Sequence, residues 1–167
     1  MRGFQLWVNL PAREKMTDPK YQEFAPDRIP VATPAKGVSV KVIAGAVGEV
    51  VGPIVQPATD PLYLDIALEA GYGWRYPLPE GHNIFAYAFE GAVTVGEGDD
   101  ARPLETHELA VLGGGNELHL RAGSQAAWLI LVAGRPLREP VMRHGPFVMN
   151  TRQELMQAFV DFQEGRF

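Results

Sequence analysis

The sequence predicts an all-β barrel closed by a single C-terminal helix. Three observations carry that expectation. Short apolar runs alternate with polar positions at a period of two, as in the stretch from Leu62 to Leu68: Leu62, Leu64, Ile66 and Leu68 fall on one side, Tyr63, Asp65 and Ala67 on the other. Glycine and proline, 18 and 14 of the 167 residues, break those runs at short intervals. Only the stretch from Thr151 to Gln163 has convincing helical spacing, with Leu155, Phe159 and Phe162 at i, i+4 and i+7.

Taken in order, residues 3–10 read as a strand, with Phe4, Leu6 and Val8 alternating against Gln5, Trp7 and Asn9. Residues 12–36 read as a long polar connector punctuated by Pro19, Pro26, Pro30 and Pro34, with Met16, Tyr21 and Phe24 as anchors. Connectors of that length are uncommon inside one domain, which sets the first strand (residues 1–11) apart from a domain spanning 37–167. Residues 37–43 form the next strand, with Val38, Val40 and Val42 on one face, and Gly45, Gly48, Gly52 and Pro53 mark a loop.

The central stretch follows. The strand at 62–68 ends in a turn over Glu69–Gly73, where glycine supplies positive φ. Pro77, Pro79 and Gly81 hold a short loop. A strand at 84–89 is broken by Glu90-Gly91, and Val93-Thr94-Val95 is a third strand. Strand, loop, strand, turn and strand are expected to pair as an antiparallel meander. Further strands are read at 102–104, at 109–112 before Gly113-Gly114-Gly115-Asn116, at 118–120, and at 126–133, a continuous apolar run suited to burial on both faces. Residues 141–149 read as irregular, with a turn at Gly145-Pro146. Thr151 and Glu154 have the spacing of a capping box, and Gly165 ends the helix, which is expected to dock on the outside of the barrel.

Composition narrows the function classes. There is no cysteine, which excludes a disulfide framework, a thiolate metal site and a cysteine nucleophile. The net charge of −5 gives no basic footprint for direct nucleic-acid binding. No apolar run is long enough for a membrane helix and no basic-then-apolar leader opens the chain, so the expectation is a cytoplasmic protein.

The Glu90-Gly91 turn between two such strands resembles the first motif of a cupin, an RmlC-like jelly-roll barrel. The wider chain resembles the second half of a pirin, a protein built from two cupin domains. The residues that carry this are GFQLWVNLP at 3–11, PLPEGHNIFAYAFEG at 77–91, AGRPLREPVMRHGPFVMNT at 133–151 and QAFVDFQEGRF at 157–167. The resemblance implies a C-terminal cupin with a closing helix. It also implies that the metal of full pirins, iron or another divalent ion, sits in a first cupin absent from this chain. Pirins are implicated as metal-dependent transcriptional co-regulators, and some resemble quercetin 2,3-dioxygenases.

Carried over by position, the paired ligand histidines of a cupin fall on Pro77 and Pro79. The second-motif ligands fall near Leu120 and Ala122, with His119 adjacent if the alignment shifts by one. Where the family often carries a histidine before Gly-Phe-Gln-Leu-Trp, this chain has Arg2. The expectation is therefore no metal or other cofactor held by this chain, and no catalytic residue.

His82, in a Pro/Gly-framed loop before a buried strand, is the sharpest pocket candidate. It reads either as an acid–base group or ligand at a barrel mouth, or as a turn histidine bonded to backbone. Tyr63 and Tyr87, with Asp65, are candidates to line a small cavity. His107 reads as lying in a solvent-facing turn, His119 as pointing outward and His144 as packed on backbone. Arg135, Arg138, Arg143 and Arg152 read as a mixed, solvated face.

Three function classes follow: a non-catalytic interaction module, part of a split or truncated pirin that regains a metal site beside an N-terminal half, and an independent enzyme with a pocket near His82. An apolar strand without a sheet to join is prone to pair with another chain. The expected partner surface is therefore residues 3–10, joining a second copy or an N-terminal cupin.

Overall fold

Alternation decides which side of each strand is buried. In the computed structural model, which describes residues Gly3–Arg166, Val38, Val40, Val42 and Ala44 are buried while Ser39 and Lys41 face outward. The same pattern holds at Leu62–Leu68. Each such strand offers one apolar face, and two sheets bring those faces together.

The chain forms two compact units. One is Gln22–Pro136; the other joins the residues up to Tyr21 with those from Leu137 onward. The first unit holds β1 (Val31–Ala32), β2 (Val38–Ala44), β3 (Ala46–Val47), β4 (Val50–Val51), β5 (Leu62–Leu68) and β6 (Gly73–Pro77). It continues with β7 (Asn83–Glu90), β8 (Val93–Val95), β9 (Arg102–Leu104), β10 (Leu109–Val111), β11 (Glu117–Ala122) and β12 (Ala127–Gly134). A six-stranded sheet runs β1-β2-β5-β12-β7-β10, a four-stranded sheet runs β6-β11-β8-β9, and β3 and β4 make a small hairpin inside the stretch read as a loop.

The expected meander is corrected here. β5 and β7 do not pair, because β12 lies between them and pairs with both. β7 and β8 lie in different sheets. The Glu90-Gly91 turn carries the chain from one sheet to the other. Gly91 has φ +69°, and a Cβ there would lie 2.3 Å from the Ala126 carbonyl oxygen, so only glycine fits. The central place of β12 explains its continuous apolar run: Leu129 and Leu131 face the core, and Ile130 and Val132 are also buried, on the outer side.

The second unit is built differently. Residues 3–10, read as a strand, carry no regular structure, and Leu6, Trp7 and Val8 are exposed. Alternation alone does not make a strand where no neighbour offers a ladder. Side chains hold the following residues instead: the Ala12 N–H donates to Glu139 Oε2 at 2.8 Å, and Lys15 Nζ donates to Asn9 Oδ1 at 2.6 Å. The connector read at 12–36 is also divided, with 3-10 turns at Ala12–Glu14 and Pro26–Arg28, β1 near its end, and the boundary between units after Tyr21.

The stretch read as irregular at 141–149 is a hairpin of β13 (Met142–His144) and β14 (Phe147–Met149), turning at Gly145 with φ +54°. α1 (Arg152–Gln163) follows with its capping box formed: Thr151 Oγ1 accepts the Glu154 N–H, and Glu154 Oε2 accepts the Thr151 N–H. Its buried Leu155 and Ala158 cluster with Met149, and Phe159 meets Phe147 edge-on with ring centroids 4.9 Å apart. Within this unit the hairpin packs side chains against the apolar face of the helix.

Candidate functional site

Apolar side chains fill the interior between the two sheets. From the four-stranded sheet, Trp74, Tyr76, Leu118, Leu120 and Ala122 point inward; from the six-stranded sheet, Val40, Leu64, Ile66, Ala86, Leu129 and Leu131 meet them in one continuous cluster. The Trp74 and Tyr76 rings lie 4.9 Å apart. The Tyr76 hydroxyl donates to the Ala46 carbonyl at 2.7 Å, and burial pushes its pKa up.

The positions that resemble cupin metal ligands do not fit a metal. Pro77 ends β6 and Pro79 lies in the following loop, and neither offers a donor atom on its side chain. Leu120 and Ala122 are core residues. His119 points outward, as its alternation implies: Nδ1 lies 2.9 Å from Glu97 and Nε2 2.5 Å from Glu117, and Arg75 reaches both carboxylates. The two carboxylates flank opposite ring nitrogens, so these groups do not converge on one point. Arg2 lies outside the described residues.

His82 is placed by the loop between β6 and β7, and its side chain is 6% exposed. Nε2 lies 3.0 Å from the Asp60 carbonyl oxygen and Nδ1 3.2 Å from that of Glu80. Both ring nitrogens thus face backbone, as a turn histidine's would. Asp60, at φ +46°, also places its carboxylate 3.4 Å from His82 and 3.3 Å from Arg135. The Arg135 N–H donates to the Thr59 carbonyl. The assembly cross-links three chain segments at one end of the barrel. No sequence pattern marks Asp60 or Arg135 as partners of His82.

Tyr63, Asp65 and Tyr87 share the outer face of the six-stranded sheet, but β12 separates the first two from the third. The register sets Tyr63 beside Val132 and Asp65 beside Ile130, with Tyr87 on the far side of Ile130. Burial, and then the nearby Asp65 carboxylate, raise the Tyr63 pKa. The Tyr87 hydroxyl lies 3.5 Å from Nδ1 of the exposed His107. His144 stacks edge-on to Phe159 at 5.2 Å.

An open cavity of about 570 Å³ lies elsewhere, where Ser39, Ala67 and Trp128 align across β2, β5 and β12 below the turn carrying Lys36. Neither His82, Tyr63 nor Tyr87 lines it. Nothing in the residue pattern pointed to it, because its lining is drawn from strands that are far apart in sequence.

The fold and its interior define a cupin barrel with a C-terminal hairpin and helix. The chain belongs to the pirin family: residues 63–167 match the model of the Pirin C-terminal cupin domain. It is 50% identical to a pirin-like protein of Caulobacter vibrioides, over all of this chain and 59% of that protein. It is 43% identical to the pirin of Homo sapiens, over 98% of this chain and 56% of that protein. A solved quercetin 2,3-dioxygenase from Acinetobacter baumannii superposes with a TM-score of 0.87 at 36% identity, over 96% of this chain and 55% of its own. The chain thus spans a little over half the length of these relatives. No helix among the described residues is long and apolar enough to cross a membrane.

Proposed function

We propose that this chain acts as a non-catalytic cupin module, whose barrel is a scaffold and whose working surface is for protein partners. The observation that supports this is the interior: proline, leucine and alanine stand where a cupin would place its metal ligands, and the surrounding volume is packed with apolar side chains. A Lewis-acid or oxygen-activating role needs donor atoms and an open coordination position. These side chains supply neither.

A second reading has support of its own. The chain spans little over half of its relatives, one of which is a quercetin 2,3-dioxygenase. Leu6, Trp7 and Val8 are exposed apolar side chains on a segment without a ladder. In this reading residues 3–10 join an N-terminal cupin, in the same polypeptide or another, and that cupin supplies metal-dependent dioxygenase or transcriptional co-regulator activity. One experiment separates the two. Elemental analysis and quercetin-dependent oxygen uptake are measured on this chain, alone and with an N-terminal pirin cupin added. The module reading expects neither metal nor uptake from this chain alone, and from the mixture no more of either than the N-terminal cupin gives by itself; one iron, nickel or copper per chain in the lone sample overturns it. The second reading expects uptake, abolished by a chelator, in the mixture that neither this chain nor the N-terminal cupin gives alone. Deleting residues 1–10 then removes the association.

A further inference from the structure

β10 is the last strand of the six-stranded sheet and, among the described residues, pairs only with β7. The Glu108 carbonyl accepts the Ala88 N–H at 3.1 Å, and the Leu112 N–H donates to the Ile84 carbonyl at 2.9 Å. In an antiparallel ladder successive residues direct their backbone groups to opposite sides. Residues 108, 110 and 112 therefore face β7, and the N–H and C=O of Leu109 and Val111 point away from the sheet. Leu109 and Val111 are 53% and 79% exposed.

The other edges of the two main sheets are guarded. β1 lies between Pro30 and Pro34, β6 carries Arg75 and Pro77, and β9 carries Arg102 and Pro103. Proline and charge are the usual means of blocking an edge. Leu109, Ala110 and Val111 include neither, the nearest charge being Glu108 just before the strand, and Gly113-Gly114-Gly115 after it has no side chains to obstruct an approach.

We propose that β10 is a pairing edge through which two copies of this chain associate about a two-fold axis at Ala110. The pattern is self-complementary. With Ala110 facing its own copy, Leu109 meets Val111, and the two hydrogen-bonded pairs so formed use all four outward groups of each strand in four bonds. Ala110 sits at a non-hydrogen-bonded pair, where Cα atoms come within about 4.5 Å, and its methyl group fits there. Glu108 meets Leu112 rather than a second glutamate, so no like charges oppose. The result joins two six-stranded sheets edge to edge by an isologous contact. It involves none of residues 3–10 and does not depend on the partner proposed for them.

The test uses the full chain, with sedimentation velocity over a concentration series and amide hydrogen exchange by NMR. A dimer is expected in which the Leu109 and Val111 amides gain protection as concentration rises. Leu109→Pro removes only an outward N–H and keeps the β7 ladder. It is expected to give a monomer in which the Ala110 amide stays protected. Val111→Lys, at a side chain that supports no core contact, is expected to do the same and serves if the proline variant does not fold. The proposal is overturned if the chain is monomeric throughout the series. It is equally overturned by a dimer that Trp7→Asp abolishes and both β10 variants leave intact.

Discussion

The barrel unit and the hairpin–helix unit spend their sequence in different ways. In the barrel, one apolar cluster runs through both sheets, and its largest side chains, Leu64, Ile66, Leu129 and Leu131 among them, are fully buried. In the other unit the buried cluster is Met149, Leu155 and Ala158, and order comes from local devices: a capping box, a glycine hairpin turn, and the Glu139 carboxylate bound by Ala12 and Asn150. Buried apolar area sets how much free energy a unit can draw on. The barrel is therefore built to stand without help, whereas the hairpin–helix unit has a small core and leaves Trp7 and Val8 in solvent. The proposed separation of scaffold from partner surface predicts such a contrast.

The largest expected effect tests the contrast directly. Leu131→Ala, at the centre of the central strand, should cost about 2–5 kcal/mol, the transfer term plus the cavity left in a rigid surround. Leu155→Ala should fall at or below the low end of that range, because a three-residue cluster can collapse around the gap. Denaturant midpoints, with amide exchange read separately for β12 and α1, give both numbers. Equal costs in the two units would break the comparison.

What was legible from sequence follows the same division. Strand positions and their buried faces in the barrel could be read because alternation records burial residue by residue: 62–68 is found where expected, and 126–133 has the two-sided burial that its unbroken apolar run implied. Pairing could not be read, since β12 enters between β5 and β7 from far along the chain, and period-2 patterns carry no partner label. β6 was passed over because Gly73-Trp74-Arg75-Tyr76-Pro77 is short and ends in proline, which an edge strand tolerates. Residues 3–10 misled for the converse reason, with a strand's alternation but no ladder. At the candidate site, proline at positions 77 and 79 is read directly from the sequence. The hold of Asp60 and Glu80 on His82 is not, because two of the three contacts are to backbone carbonyl oxygens.

A smaller effect sharpens the comparison at the helix cap. Thr151→Ala removes the acceptor for the Glu154 N–H and should cost about 1 kcal/mol. In a unit with so small a core that is a large fraction of local stability. Exchange at the first-turn amides of α1 should therefore rise while the β12 amides are unchanged. Thr151→Ser should restore protection, as the hydroxyl is kept. Loss of protection in both units would mean that they open together.

The smallest effect concerns charge. Burial lowers the Lys15 pKa below its usual value, and the Glu139 and Glu154 carboxylates oppose that shift in part. A lysine whose folded pKa is lowered binds protons less readily in the folded state than in the unfolded one. Its ammonium form thus costs stability at neutral pH, and the cost fades as pH rises through the lowered pKa toward about 10.4, the unfolded value. Tyr63 and Tyr76 act in the opposite sense in the alkaline range, since raised tyrosine pKa values favour the neutral folded form and that stability is lost as pH climbs. Lys15→Met isolates the lysine, because the tyrosine contribution is common to both proteins and cancels in the difference. The parent should gain stability relative to Lys15→Met as pH rises over that window, read at the α1 amides or in the unfolding midpoint. In Glu139→Gln, with one opposing carboxylate gone, the gain should begin at lower pH. A difference that stays flat over the window would mean that Lys15 is solvated and that Glu139 alone holds residues 9–15 in place.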